Sequence, residues 1–322
     1  MATTTISLAD IRAAADRIRP YVHRTPVLTS TQLDSRVAAR VFCKCENLQA
    51  TGSFKARGAH NAVYSLSDAE AARGVVTHSS GNHAGALARA AQRRGIPCTV
   101  VMPANASAVK KAAVAAYGAA IVECEPTLAA REAAAAAVLA ATQGTLVHPY
   151  DDCRVVAGQG TAAIELLEGH PELDMLLAPV GGGGLLAGSA VAAKGVSGRV
   201  RVIGVEPELA DDTFRSYHGT TRVVLNSSTT MADGLRGSIG ERNLELLRAY
   251  VDDIVTVSEA EILAATRFLW ERMKIVVEPS GAVPLAALMS GKVQAAGLQV
   301  GLILSGGNVD LDALPWVRPA RR

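Results

Sequence analysis

Short apolar, β-branched runs alternate along the chain with segments of helical period, a pattern that predicts a mostly parallel sheet covered by helices. The runs that predict strands are Val41–Lys44, Val75–Thr77, Cys98–Met102, Ala120–Glu123, Leu176–Val180, Val200–Val205, Asp253–Val257 and Gly301–Leu304. Helix-period segments lie near 7–19, 53–66, 82–94, 107–117, 127–142, 155–168, 184–195, 258–273 and 280–290. In the first of these, Leu8, Ile11, Ala15 and Ile18 form one stripe, and Ser7 stands where an N-cap belongs. No repeat with a period of roughly 20–50 residues appears, and no low-complexity linker marks a boundary. The reading is α/β, with a compact βα unit from 68 to 146 inserted into the rest.

Length and composition narrow the class. A chain of 322 residues suits two domains or one large α/β unit, and a 49% hydrophobic share is enough for a sizeable core. The formal charge of +2 is spread without basic or acidic blocks, and aromatics are 4%. Neither nucleic acid nor an anionic membrane surface is expected as a partner. Asp10, Arg12, Asp16 and Arg17 break up any leader-like start, and no run approaches the ~18 apolar residues of a membrane span. Five cysteines (Cys43, Cys45, Cys98, Cys124 and Cys153), odd in number and without C-x-x-C spacing, read as small hydrophobes of a cytoplasmic protein.

Four segments carry candidate chemistry, each at a strand end or a helix start, where open α/β sheets bind ligands. Lysines number 7 against 25 arginines, and one of them, Lys55, shares a helix face with Ala59, Ala62 and Leu66, while Arg57, Asn61 and Tyr64 turn elsewhere. A lysine on a buried stripe in a first turn meets desolvation and the positive helix end together, and both favour the neutral, nucleophilic amine. A lysine that snorkels past the helix end to solvent gives the same pattern. The run Gly181-Gly182-Gly183-Gly184-Leu185 follows an apolar strand and opens a helix, the form of a phosphate cradle. It lacks the lysine of a nucleoside-triphosphate loop, and a merely structural tight turn fits it too. His78-Ser79-Ser80-Gly81-Asn82-His83 sits between a strand and a helix, as plain caps or as donors to a carboxylate or phenolic oxygen. Ser305-Gly306-Gly307-Asn308 ends the last strand, with Ser305 an N-cap or a donor to a ligand nitrogen.

Ser53-Phe54-Lys55, Ser80-Gly81-Asn82-His83, Gly181–Gly184 and Ser305-Gly306-Gly307-Asn308 occur in the order typical of pyridoxal-phosphate enzymes of the tryptophan-synthase-β type, fold type II. Within that type the chain resembles the serine racemase and serine/threonine dehydratase group, from Thr25-Pro26-Val27-Leu28 to Asn308-Val309-Asp310. The resemblance implies two domains with mostly parallel open sheets flanked by helices: residues 1–67 with 147–322 as the large, cofactor-binding domain, and 68–146 as the small one. It implies a homodimer as well. Lys55 becomes the Schiff-base lysine and the acid or base at the substrate α-carbon. Phe54 packs beside the cofactor ring, Asn82 bonds its phenolic oxygen, and Ser305 bonds the pyridine nitrogen. The amides of Gly181, Gly182, Gly183, Gly184 and Leu185 hold the phosphate. Ser79, Ser80, Asn82, His83 and Arg131 contact substrate, and Glu278 lies near the ring. Glu206, the Ala210 carbonyl and Asp212 match a divalent-cation site for Mg²⁺, or Ca²⁺ or Mn²⁺. A solvated acidic loop is the other reading of that segment.

The implied activity is elimination of the β-hydroxyl of L-serine, L-threonine or 3-hydroxyaspartate, giving a 2-oxo acid and ammonia. A hydroxyl at position 305, unlike a carboxylate, leaves the ring a weaker electron sink, which suits elimination over transamination. Serine racemases carry a serine where Ser80 stands, working on the face opposite the lysine, and threonine dehydratases usually have alanine there. Racemisation with side elimination is thus the alternative. Ala50 in place of a nucleotide-contacting lysine, Gly237 in place of a substrate-side serine, and the absence of the racemase glutamine after His83 point away from ATP activation. The chain runs only a short way beyond Asn308, so no C-terminal regulatory domain is expected. A non-catalytic phosphate-ligand or dinucleotide-binding protein, and a β-replacing synthase, complete the field.

Overall fold

Two sheets organise the chain in the computed structural model, which describes residues 6–79, 81–106, 108–225, 227–314 and 316, without the side chains at 109, 128 and 313. The strands are β1 (Val27–Leu28), β2 (Arg40–Cys45), β3 (Val75–His78), β4 (Cys98–Pro103), β5 (Ala120–Cys124), β6 (Thr145–Leu146), β7 (Met175–Pro179), β8 (Arg201–Pro207), β9 (Asp253–Val257) and β10 (Gln299–Leu304). The larger sheet has the order β1-β2-β10-β7-β8-β9 and the smaller β5-β4-β3-β6. Every pairing is parallel except the short β1 against β2, in register Val27↔Lys44.

Both faces of the larger sheet are covered, so its strands read as continuous apolar runs whose side chains alternate between two cores. Phe42, Leu176, Ala178 and Ile303 point to one core, under the helices Leu8–Ile18, Cys153–Gly169, Gly184–Val196 and Glu241–Tyr250. Val41, Cys43, Leu177, Leu302 and Leu304 point to the other, under Glu259–Phe268 and Pro279–Met289. A third core lies by the smaller sheet and draws Ala59, Ala62, Val63 and Leu66 from the Lys55–Tyr64 helix and the turn after it, with Val147 and Val155.

All eight strands read from the sequence are present, with ends shifted by a residue or two. The two-residue β1 and β6 have too few positions to show a period. Four helices also escaped the reading: Thr31–Val37, Asp68–Arg73, Asp212–His218 and Glu241–Tyr250. Thr31–Val37 buries only Leu33 and so shows no stripe, although Ser30 caps it. The helix at Lys55–Tyr64 is buried on more than its apolar face. Arg57 and Asn61 are enclosed, with Arg57 Nε on Glu46 Oε2 and Nη1 on Glu165 Oε1, each at 2.7 Å. Lys44 Nζ meets Glu165 Oε2 at 2.6 Å, completing a four-charge cluster beside β2 in which Lys44, Glu46 and Arg57 are buried and Glu165 is partly exposed.

The five cysteines are free thiols. Among the described residues no helix is long and apolar enough to cross a membrane.

Candidate active site

Segments that follow β3, β7 and β10 meet at one cavity of about 330 Å³. The start of the Lys55–Tyr64 helix is pinned there by backbone pairing. Ser53 bridges Gly306, the Phe54 amide donates to the Ser305 carbonyl at 3.0 Å, and the Gly307 amide donates to the Gly52 carbonyl at 2.9 Å. This seam explains why residues from opposite ends of the chain share a wall. Lys55 Nζ donates to the Pro149 carbonyl at 2.7 Å and lies 5.1 Å from the Phe54 ring centre. Burial lowers its pKa to about 8, with the Glu278 charge opposing the shift. A lysine so placed is part neutral near neutral pH, as a nucleophilic amine requires.

Across the cavity the helix Gly184–Val196 begins at Gly183, in left-handed backbone (φ 88°) and without a side-chain cap. Its first amides therefore have no side-chain acceptor and point their positive end at the cavity, the arrangement of an anion site. Glycine is needed here for space as well as conformation. A Cβ on Gly182 would lie 2.3 Å from Tyr150 Cγ, and one on Gly183 2.3 Å from Ile239 Cδ1. A reactive lysine and a helix N-terminus opening on one cavity suit a carbonyl-bearing phosphate ester.

The third wall is built on Glu278. Its Oε1 accepts from Asn82 Nδ2 at 2.9 Å and its Oε2 from the Asn308 amide at 3.1 Å, and Asn308 Nδ2 donates to Asn82 Oδ1 at 2.9 Å. Burial, then the Asp233 charge, push the Glu278 carboxyl up to about 8.

Of the residues singled out in the sequence, Phe54, Lys55, Asn82, Gly181, Gly182, Gly183, Gly184, Leu185, Glu278 and Ser305 line this cavity. Ser79, His83 and Arg131 stand off its wall. Ser79 Oγ accepts from the Gly81 amide at 3.3 Å, His83 is buried with Nε2 3.3 Å from the Val147 carbonyl, and Arg131 Nε faces the Thr127 carbonyl at 3.4 Å. The Arg131 charge still reaches the wall at Tyr150, where it weakly opposes the upward push of burial on the phenol. Ser80 lies outside the described residues.

The wall also holds residues the motifs missed: Lys110, Tyr150, Ser280 and the turn Asp233-Gly234-Leu235-Arg236. A local cue to Tyr150 existed, because the stretch His148-Pro149-Tyr150-Asp151-Asp152 resembles dehydratases. The 233–236 turn carried none, because it lies in irregular chain between two helices, where neither period operates.

The acidic segment is not a solvated loop. Glu206 is fully buried at the end of β8, accepting from the Thr213 and Phe214 amides at 3.1 and 2.8 Å. Asp212 Oδ2 accepts from the Ile239 amide at 2.7 Å, while its Oδ1 is buried with no partner among the described residues. Burial, then Asp212, raise Glu206 well above the carboxylate range, and burial raises Asp212 to about 6. Two buried carboxylates with an oxygen to spare suit a divalent cation. No group of three His, Cys, Asp or Glu side chains forms a metal set among the described residues, so further donors here would be carbonyls and waters.

A family model described as pyridoxal-phosphate dependent enzyme matches residues 18–306. The chain is 48% identical to a β-hydroxyaspartate dehydratase of Paracoccus denitrificans (strain Pd 1222), over 95% of this chain and 98% of that one. Among solved structures it superposes on the serine racemase of Dictyostelium discoideum with a TM-score of 0.91 at 44% identity, covering 96% of this chain and 100% of that one. It superposes on a threonine deaminase of T.th. with a TM-score of 0.90 at 47% identity, covering 95% and 99%.

Proposed function

The chain belongs to the pyridoxal-phosphate dependent enzymes, and on that premise we propose that it is an ammonia-lyase acting on a β-hydroxy amino acid: L-serine, L-threonine or 3-hydroxyaspartate. The observation that carries this reading is Lys55, lowered to about 8, opening on the same cavity as the uncapped helix start at Gly183. Lys55 would tether the cofactor carbonyl and the amides of Gly181–Leu185 its phosphate, with Asn82 at the phenolic oxygen, Ser305 at the ring nitrogen and Phe54 beside the ring. When bound, pyridoxal phosphate supplies the electron sink that makes a substrate α-proton removable.

The protein's own part is positioning and proton movement. Lys55, part neutral at working pH, would take the α-proton of the bound amino acid. Ser79, Ser80, Asn82 and His83, together with Arg131, would receive the α-carboxylate, a reading supported by the uncapped start of the Asn82–Arg94 helix although the Ser79, His83 and Arg131 side chains stand off the wall. The β-hydroxyl leaves as water, taking up the proton that Lys55 removed from the α-carbon, and hydrolysis of the released enamine by a second water gives the 2-oxo acid and ammonia. Glu206, the Ala210 carbonyl and Asp212 would hold Mg²⁺, or Ca²⁺ or Mn²⁺, supported by the spare Asp212 oxygen. The domain division 1–67 with 147–322 against 68–146 is supported by the smaller sheet, whose strands all fall between Val75 and Leu146. The free thiols support a cytoplasmic location, and a homodimer completes the reading.

Serine racemisation is the second reading, favoured by the likeness to a serine racemase over nearly the whole chain. One incubation with each of the three amino acids and Mg²⁺, assayed for 2-oxo acid and for the enantiomer of the remaining amino acid, tests both. Oxo acid without D-isomer supports the lyase. Abundant D-isomer supports the racemase, and neither product from any of the three refutes both.

A further inference from the structure

Among the described residues the cavity wall carries three cationic side chains, Lys55, Lys110 and Arg236, against two carboxyls, Asp233 and Glu278. Their charges do not cancel. Lys55 is committed to the cofactor under the proposed function, on which this inference rests. Glu278 is buried and held largely protonated near neutral pH. Lys110 Nζ meets Asp233 Oδ2 at 3.0 Å, so that pair is internally compensated. Arg236 is different. Its Nε and Nη2 donate to the Thr230 carbonyl at 3.0 and 2.6 Å, which fixes the guanidinium but supplies no negative charge. Among the described residues no carboxylate forms an ion pair with it, and it stands exposed at the cavity.

The residue after this charge is a glycine. At Gly237 a Cβ would be 3.5 Å from Tyr150 Cε1 and 3.9 Å from the Tyr150 hydroxyl, which is ordinary contact. Crowding therefore does not demand glycine there, and Arg236 and Tyr150 both stand on the cavity wall with no side chain at position 237. The substrate α-carboxylate has its own receptor in a different element, the helix start at Asn82. A serine or threonine side chain offers Arg236 nothing to pair with. A second carboxylate on the β-carbon does, through the charge-assisted contact for which guanidinium geometry is suited.

We propose that Arg236 is a specificity-determining residue that reads the β-carboxylate of a dicarboxylic substrate, with Asp233 holding the neighbouring Lys110 charge in check, so that the site selects 3-hydroxyaspartate over serine and threonine. Selection of this kind arises from leaving a site charge unanswered in the complex with the wrong substrate.

The test uses the holoenzyme and its variants R236Q, R236K and D233N. For each, kcat/KM is measured with L-threo-3-hydroxyaspartate and with L-serine, cofactor retention by visible absorbance, and binding of succinate, with propionate as the single-carboxylate control, by calorimetry. R236Q lowers the hydroxyaspartate-to-serine ratio tenfold or more and weakens succinate but not propionate, R236K restores most of both, and D233N raises the ratio. A ratio unmoved in R236Q, or a loss of cofactor with the ratio intact, overturns the assignment and places Arg236 with the fold or the phosphate. Wild type that turns over neither amino acid sinks the lyase reading separately, and succinate binding then still decides whether Arg236 receives a second carboxylate.

Discussion

Asn82 Nδ2 donates to Glu278 Oε1 at 2.9 Å, joining the helix that follows β3 of the smaller sheet to the N-cap of the Pro279–Met289 helix on the larger one. The contact ties a cavity-lining amide to an acid that burial and Asp233 push up to about 8, from 4.5 for the free group. The folded chain thus keeps a proton the unfolded chain has already lost. This contribution to stability is full below pH about 4.5 and is lost as pH rises through about 8. Between pH 6 and 8 the melting temperature of the cofactor-free protein should fall more steeply for wild type than for E278Q, which cannot titrate. Parallel profiles in that window would mean that Glu278 is ionised throughout.

Lys55 has the opposite sign. Its folded pKa of about 8 lies below the 10.5 of the free amine, so holding the charged form in the fold costs stability below pH 8 and the cost fades as pH rises toward 10.5. K55A also loses the Pro149 hydrogen bond, the approach to the Phe54 ring and the attraction to Glu278. At pH 7 its cofactor-free melting temperature should equal or exceed that of wild type, while turnover falls by about 10³-fold or more and the visible absorbance of bound cofactor disappears. Turnover near the wild-type rate would remove Lys55 from the chemistry.

These two residues also mark how far the sequence could be read. Lys55, the glycine run, Asn82 and Ser305 were legible because each stands where an apolar period stops at a strand end or helix start, and open sheets gather such points. Arg236, Asp233 and Lys110 were not, because their meeting depends on how a turn in irregular chain lies across the cavity, which no local period encodes. Arg57 shows the same limit inside the fold. Its charge set it apart from the apolar stripe of its helix, yet partners from other elements, Glu46 and Glu165, allow it to be buried.

G183A tests the anion cradle. Left-handed backbone at φ 88° disfavours any Cβ, and this one would meet Ile239 Cδ1 at 2.3 Å. Strain and overpacking together should cost about 2–4 kcal/mol in urea denaturation. Cofactor release should quicken as well, since the displaced turn no longer converges its amides. A variant with wild-type cofactor retention would move the phosphate elsewhere.

Glu165 accepts from Lys44 Nζ and from Arg57 Nη1 and Nη2, and both cations are buried. E165A leaves Lys44 without its carboxylate and Arg57 with Glu46 alone. Breaking one side of such a cluster costs about 3–5 kcal/mol, and a hydrophobic replacement of a whole cluster often costs nothing. Urea denaturation should therefore show E165A strongly destabilised. A loss below about 1 kcal/mol would mean that water reaches the cations and the cluster is not sealed.

Asp212 offers the sharpest test of the cation, because its two oxygens have separate roles. Oδ2 accepts the Ile239 amide, which an asparagine carbonyl can also do, whereas Oδ1 is the buried oxygen without a partner. D212N should therefore fold, and should remove most of the affinity for a divalent ion by halving the carboxylate charge of the Glu206–Asp212 pair. In wild type, Mg²⁺ at about a hundred times its dissociation constant adds about 2.7 kcal/mol of stability, and a chelator takes it away. Burial raises both carboxyls, so protons compete with the ion, and the Mg²⁺-dependent rise in melting temperature should be larger at pH 8 than at pH 6. D212N should show little rise at either pH. If wild type itself melts at the same temperature with Mg²⁺, Ca²⁺ or chelator, the pair is a buried acid couple sharing a proton, and the cation has no place in it.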